Sequence, residues 1–194
     1  CKINNEVLGA WAKVLQAVPN SRLHLKTYSS LDTVRITHFL GKHGISEHRL
    51  IIMPPLPTAT DVQMYYSRHA DIFLDSWPCS GCLTSAEAMW MGVPVVSRYD
   101  EVFCSRQTHS ILNTIGITDL SFPSVDEYVV GAATLANDLN RLRTLRKELR
   151  GMMSRSPLTD YKAMSMYLGK ACEEAWAQTV VPKKRILDLL TSRT

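Results

Sequence analysis

Five short apolar runs, Ser21–Thr27, Arg49–Met53, Asp71–Asp75, Pro94–Ser97 and Leu120–Phe122, punctuate the chain at intervals filled largely by helical patterning. In the first helical segment Val7, Leu8, Trp11, Val14, Leu15 and Val18 recur at helical spacing, and Pro19-Asn20 stops the run. Further helices are expected over about 31–43, 60–68, 85–91, 126–136 and 139–152. A last one carries Tyr161, Met164, Leu168, Cys172 and Ala175 on one stripe. Short strands alternating with helices are the pattern of a parallel sheet covered on both faces. The expectation is therefore one doubly wound α/β domain with a helical tail.

Composition narrows the class without naming it. The 194 residues are 45% hydrophobic and 21% charged, with nine Gly and nine Pro, which excludes disordered, collagenous and fibrous classes. Net charge is only +4. Arg141, Arg143, Arg146, Lys147 and Arg150 alternate with Leu139, Leu142, Leu145 and Leu149, so this run reads as the wet face of an amphipathic helix rather than a nucleic-acid surface. Lys183, Lys184 and Arg185 form a second, shorter run. Five widely spread cysteines, Cys1, Cys79, Cys82, Cys104 and Cys172, suggest reduced thiols and a cytoplasmic setting. Cys79 and Cys82 form a C-x-x-C, but no second ligand pair stands at zinc spacing, so no metal is expected. No apolar run is long enough to span a bilayer, and no membrane partner is expected. The abrupt start without a methionine suggests a piece of a longer protein.

The stretch from Asp71 to Ser97 carries the chemistry. An apolar strand ends at Asp75, a turn with Pro78 and Gly81 follows, and Thr84 and Ser85 open a helix. In open α/β sheets ligands bind beyond the carboxyl ends of the strands. A helix N-terminus there offers unpaired N–H groups and a positive dipole end, which suits phosphate. Gly81 lets the backbone approach the ligand. Glu87, expected in the first helical turn, suits the dipole and could accept from ribose hydroxyls. On the residues alone, the same pattern also fits an ordinary βα unit in which Glu87 is only a helix-end charge.

The run from Ala70 to Ser97 resembles the C-terminal catalytic lobe of the protein O-linked N-acetylglucosamine transferases, glycosyltransferase family 41. The resemblance rests on Ala70-Asp71, Leu74-Asp75, Cys79-Ser80-Gly81, Glu87, Trp90 and Gly92-Val93-Pro94-Val95-Val96. It continues through Trp11, Val18-Pro19-Asn20-Ser21, Arg49-Leu50-Ile51-Ile52, Ser105-Arg106 and Ser156-Pro157-Leu158. It implies the Rossmann-like C-terminal lobe of a glycosyltransferase-B fold over residues 1–155, with a helical tail over 156–194 packing on it. It also implies an inverting enzyme that moves N-acetylglucosamine from a UDP-sugar to Ser or Thr hydroxyls of proteins.

By position, the resemblance places Gly81, Cys82, Leu83, Thr84 and Ser85 at the donor phosphates and Glu87 at the ribose. It places Pro57, Thr58, Ala59, Thr60 and Gln63 along the uracil. Lys2 takes the place of a lysine that contacts the diphosphate and assists catalysis. The animal enzymes have histidine and threonine where this chain has Cys82 and Leu83, and aspartate where it has Glu87. The catalytic base of the family belongs to an N-terminal lobe, and its protein-recognition repeats lie upstream; neither is part of this chain. Other readings kept open are a different sugar, a lipid or small-molecule acceptor, a sugar epimerase, and a non-catalytic nucleotide-binding remnant.

Overall fold

The computed structural model describes residues 2–27, 29–54 and 56–191, with side chains through 179. Cys1, Pro55 and the side chains of Lys183, Lys184 and Arg185 lie outside the described residues. The chain divides into two compact units, Cys1–Ser156 and Pro157–Thr194.

The first unit is built of seven helices and five short parallel strands among its described residues. Helix α1 (Asn5–Ala17) starts where the Asn4 side chain accepts from the Val7 N–H at 2.9 Å, satisfying one of the orphan donors of the first turn. It buries Val7, Leu8, Trp11, Val14 and Leu15, the stripe legible in the sequence. Strand β1 (Leu23–Leu25), helix α2 (Ser30–Lys42) and strand β2 (Leu50–Ile52) follow. Helix α3 (Ala59–His69) opens on a capping box in which Thr58 and Asp61 exchange bonds. Strand β3 (Phe73–Leu74), helix α4 (Leu83–Trp90) and strand β4 (Val95–Arg98) make the central βαβ unit. Helix α5 (Gln107–Thr114), strand β5 (Ser121–Phe122), helix α6 (Val125–Asn137) and helix α7 (Leu139–Ser154) complete it.

Every strand pair is parallel, as the alternating pattern requires. The strands form two pieces, β1–β2 and β3–β4–β5, joined across by helix α1, which packs on both α2 and α6. Between β1 and β3 lies a cleft of about 1070 Å³ lined by side chains of both strands. For that reason β3, expected as a buried strand, is only half-buried at Ile72, Phe73 and Leu74. Its carboxyl-terminal Asp75 is the fully buried member.

Two glycines are fixed by contact. Gly92 follows α4 with φ +80°, and a Cβ there would stand 2.6 Å from the Arg146 carbonyl oxygen. At Gly131 a Cβ would meet the Phe122 ring at 2.1 Å, so α6 lies directly on β5. Helix α7 is amphipathic as expected, burying Leu145, Leu149 and Met153 and exposing Arg143, Arg146, Lys147 and Arg150. Three of its basic residues have structural partners: Arg146 donates to the carbonyls of Ala70 and Ser67, Arg141 pairs with Asp119, and Arg150 lies over the Trp90 ring. The second unit holds a long helix, α8 (Tyr161–Thr191), on which Tyr161, Met164 and Leu168 are exposed.

Candidate functional site

The eight residues between β3 and α4, Asp75 to Cys82, form an irregular turn whose shape is dictated by one buried carboxylate. Asp75 is 2% exposed. Its Oδ1 accepts the N–H groups of Ser76 at 2.9 Å and Gly81 at 2.8 Å, and its Oδ2 accepts the Ser97 hydroxyl at 2.8 Å. Burial raises its carboxyl above the usual carboxylate range, while these donors oppose the rise. Its carbonyl accepts from the Tyr128 hydroxyl at 3.1 Å, which in turn accepts from the Trp11 indole N–H at 3.1 Å. Full burial holds the Tyr128 phenol well above 10, so it stays a neutral donor. Helices α1 and α6 and strands β3 and β4 are thereby tied to one point at the carboxyl end of β3.

A second layer of hydroxyls packs beneath the turn. Thr108, fully buried on α5, donates to the Gly81 carbonyl at 2.8 Å and pairs with the Ser85 hydroxyl at 2.9 Å. Gly81 admits no side chain here, since a Cβ would stand 2.1 Å from the Ser85 oxygen and 3.3 Å from Asp75 Oδ1. Lys2 reaches the turn from the other side, its ammonium donating to the Ser80 carbonyl at 3.1 Å. Asn4 donates to the Trp77 carbonyl at 3.0 Å. The residues before α1 therefore close one flank of the turn.

The structure brings three of the expected site residues to one cleft. Lys2, Gly81 and Thr84 line the same cleft, with Asp75 and Ser76. Cys82 is the residue before α4, with an exposed side chain that makes no capping bond; Leu83 is 69% exposed and Thr84 is exposed. Cys82 is thus a surface thiol. Ser85 is fully buried and its hydroxyl pairs with Thr108, so the hydroxyl expected as a phosphate donor is engaged inside the core. Helix α4 begins at Leu83, two residues before the sequence-predicted start, which puts Glu87 beyond its first turn. The helix-end charge expected for Glu87 is therefore corrected. Its carboxylate accepts from Gln63 of α3 at 3.2 Å, joining the residue expected at the ribose to one expected at the uracil. Pro57, Thr58, Ala59 and Thr60 are exposed along the entry to α3, with the Thr58 hydroxyl held by Asp61 at 2.7 Å.

Sequence reasoning missed the supports of the turn. Asp75 stood out only as a strand end, and Thr108 lies on α5, a helix whose short apolar pattern was not read. No signal in the spacing links Ser97, Thr108 or Tyr128 to Gly81; only the fold brings them together. Among the described residues no group of three or more His, Cys, Asp or Glu is placed to hold a metal, and no helix is long and apolar enough to cross a membrane.

Comparison with known proteins sets this geometry in a family. The profile of glycosyl transferase family 41 matches residues 1–168. A probable UDP-N-acetylglucosamine–peptide N-acetylglucosaminyltransferase, SPINDLY, from Solanum lycopersicum is 35% identical over 97% of this chain and 21% of its own length. The similarly named SEC protein of Arabidopsis thaliana is 28% identical over 90% of this chain and 18% of its own. Among solved structures, a mutant O-GlcNAc transferase of Thermobaculum terrenum superposes with a TM-score of 0.83 at 34% identity, covering 91% of this chain and 34% of that one. The chain spans about a fifth of the length of the curated relatives it matches. With the family profile covering all but its last residues and the fold shared with an O-GlcNAc transferase, the chain belongs to glycosyltransferase family 41.

Proposed function

We propose that this chain is the donor-binding lobe of a protein glycosyltransferase that takes N-acetylglucosamine from UDP-GlcNAc and transfers it, with inversion, to Ser or Thr hydroxyls. The observation that carries the reading is the seat itself. A glycine turn pinned by Asp75 leads into the N-terminus of α4, and the Lys2 ammonium stands on the same turn. Main-chain N–H groups of Cys82, Leu83 and Thr84 would receive the diphosphate at the positive end of the helix. Glu87 would accept from the ribose hydroxyls, and the segment Pro57 to Gln63 would line the uracil.

In this reading the charge that builds on departing UDP is stabilised by Lys2 and the helix N-terminus rather than by a metal. The catalytic base would come from the lobe that precedes this chain in the family, with the acceptor hydroxyl and the donor sugar aligned between lobes. The partners are thus a UDP-sugar and a protein, in an intracellular setting. A second reading, a different sugar on the same seat, is favoured by the exposed apolar side chain of Leu83 beside the anion position.

Calorimetric titration of the purified chain with UDP, UDP-GlcNAc and GDP tests the proposal. UDP is expected to bind more tightly than GDP. Tighter GDP binding, or no heat with either nucleotide, would overturn it.

A further inference from the structure

Three of the four described cysteines, Cys79, Cys82 and Cys104, gather around the donor turn, and the function above uses none of their thiols. Two of them flank one strip of backbone. Ser80 donates both its N–H, at 2.9 Å, and its hydroxyl, at 3.0 Å, to the Cys104 carbonyl. The Cys104 thiol lies on the Pro78 carbonyl at 3.6 Å and the Cys79 thiol on the Ser80 carbonyl at 3.9 Å. Both chain neighbours of Cys79 therefore touch Cys104, Pro78 through its carbonyl and Ser80 through its N–H and hydroxyl, which sets the two cysteines on adjoining segments. Both side chains are half-buried, which leaves them open to a small reagent.

We infer that Cys79 and Cys104 are a thiol–disulfide pair that closes by exchange with a small disulfide of the oxidised-glutathione class and staples the donor turn to the segment before α5. One thiolate attacks a reagent sulfur, forming a mixed disulfide and releasing one glutathione thiolate. The second protein thiolate then attacks the protein sulfur of that mixed disulfide and releases the second glutathione. Two protein thiols are oxidised to one disulfide, the reagent is reduced to two thiols, and the two protein protons pass to the released thiolates. The bridge would join segments already in contact, since Ser80 bonds the Cys104 carbonyl. In a reducing compartment such a bridge is transient, and serves as a sensor of thiol–disulfide balance.

The test is incubation of the reduced, desalted chain with oxidised glutathione, followed by intact mass, non-reducing peptide mapping and thermal melting. The expected product has lost two hydrogens, links the Cys79 and Cys104 peptides, and reverts with dithiothreitol. Cys79→Ser and Cys104→Ser should each abolish the link, whereas Cys172→Ser should retain it. Closing a loop of about 25 residues restrains the unfolded chain, so Tm should rise by several degrees. A Cys79–Cys82 bridge, glutathione adducts with no internal link, or a bridge that lowers Tm would each overturn the inference.

Discussion

The main-chain N–H of Gly81 donates to Oδ1 of Asp75 at 2.8 Å, so the glycine of the proposed phosphate seat is held by a buried carboxylate. This bond turns one donor of the turn inward; in the proposed function the N–H groups of the following residues receive the diphosphate. It also explains why the position must be glycine. A methyl group there would stand 2.1 Å from the Ser85 oxygen, which is itself held by Thr108.

Gly81→Ala should therefore damage both fold and site. Overpacking of this kind costs about 1–3 kcal/mol of stability, and displacement of the turn should weaken UDP by at least tenfold. Thermal melting and calorimetry together check this. An alanine variant with wild-type affinity would show that the seat lies elsewhere.

Asp75→Asn separates geometry from charge. Asparagine keeps one acceptor oxygen for Ser76 and Gly81 and can donate to Ser97, so UDP affinity should stay within about threefold. Stability should respond to pH. Burial raises the carboxyl in the folded state above its unfolded value near 3.8, so the folded state binds the proton more tightly. The native protein therefore loses stability as pH rises through the window from the unfolded value to the raised one. The asparagine variant lacks this loss, and its advantage over wild type should grow across that window and then level off. Denaturant melts of both proteins at pH 3.5 to 7 measure it; a difference that does not change with pH would show that Asp75 does not titrate as its burial implies.

Glu87→Ala tests the ribose assignment. Loss of a hydrogen bond to a charged acceptor costs on the order of 1.5–3 kcal/mol, so UDP affinity should fall about tenfold or more while the fold persists. The structure adds a control, because Gln63 donates to Glu87 at 3.2 Å. If affinity falls in Glu87→Ala but not in Gln63→Ala, which keeps the main chain expected to contact the uracil, the carboxylate itself holds the nucleotide. Unchanged affinity in Glu87→Ala would reduce Glu87 to a link between α3 and α4.

The strands and most helices were legible because each carries its own period: Val7, Leu8, Trp11, Val14 and Leu15 mark α1 without help from the rest of the chain. The site was legible only along the chain. Gly81 and Thr84 belong to one short motif, and so could be read together. Asp75, Ser97, Thr108 and Tyr128 are scattered over more than fifty positions and meet only after folding. Cys82 and Ser85 show the same limit from the other side. Spacing alone does not tell which small residue of a turn points outward, and the structure exposes the cysteine and buries the serine. The cleft between β1 and β3 had no sequence signal either, since the short apolar runs read alike whether or not neighbouring strands pair.

Lys2 separates binding from chemistry. Its ammonium rests on the Ser80 carbonyl at 3.1 Å, on the turn that leads to the proposed phosphate seat, so it stands close to where the diphosphate would lie. Charge on that diphosphate grows as the glycosidic bond breaks, and a cation there helps the transition state more than the ground state. In the full-length protein Lys2→Ala should therefore lower kcat by about 10²–10³, the usual cost of losing one such electrostatic donor. UDP affinity should fall much less. Steady-state kinetics with UDP-GlcNAc and a protein acceptor, beside calorimetry with UDP, distinguish the roles. A raised KM with unchanged kcat would make Lys2 a binding residue only, because uniform binding changes KM without touching the chemical step.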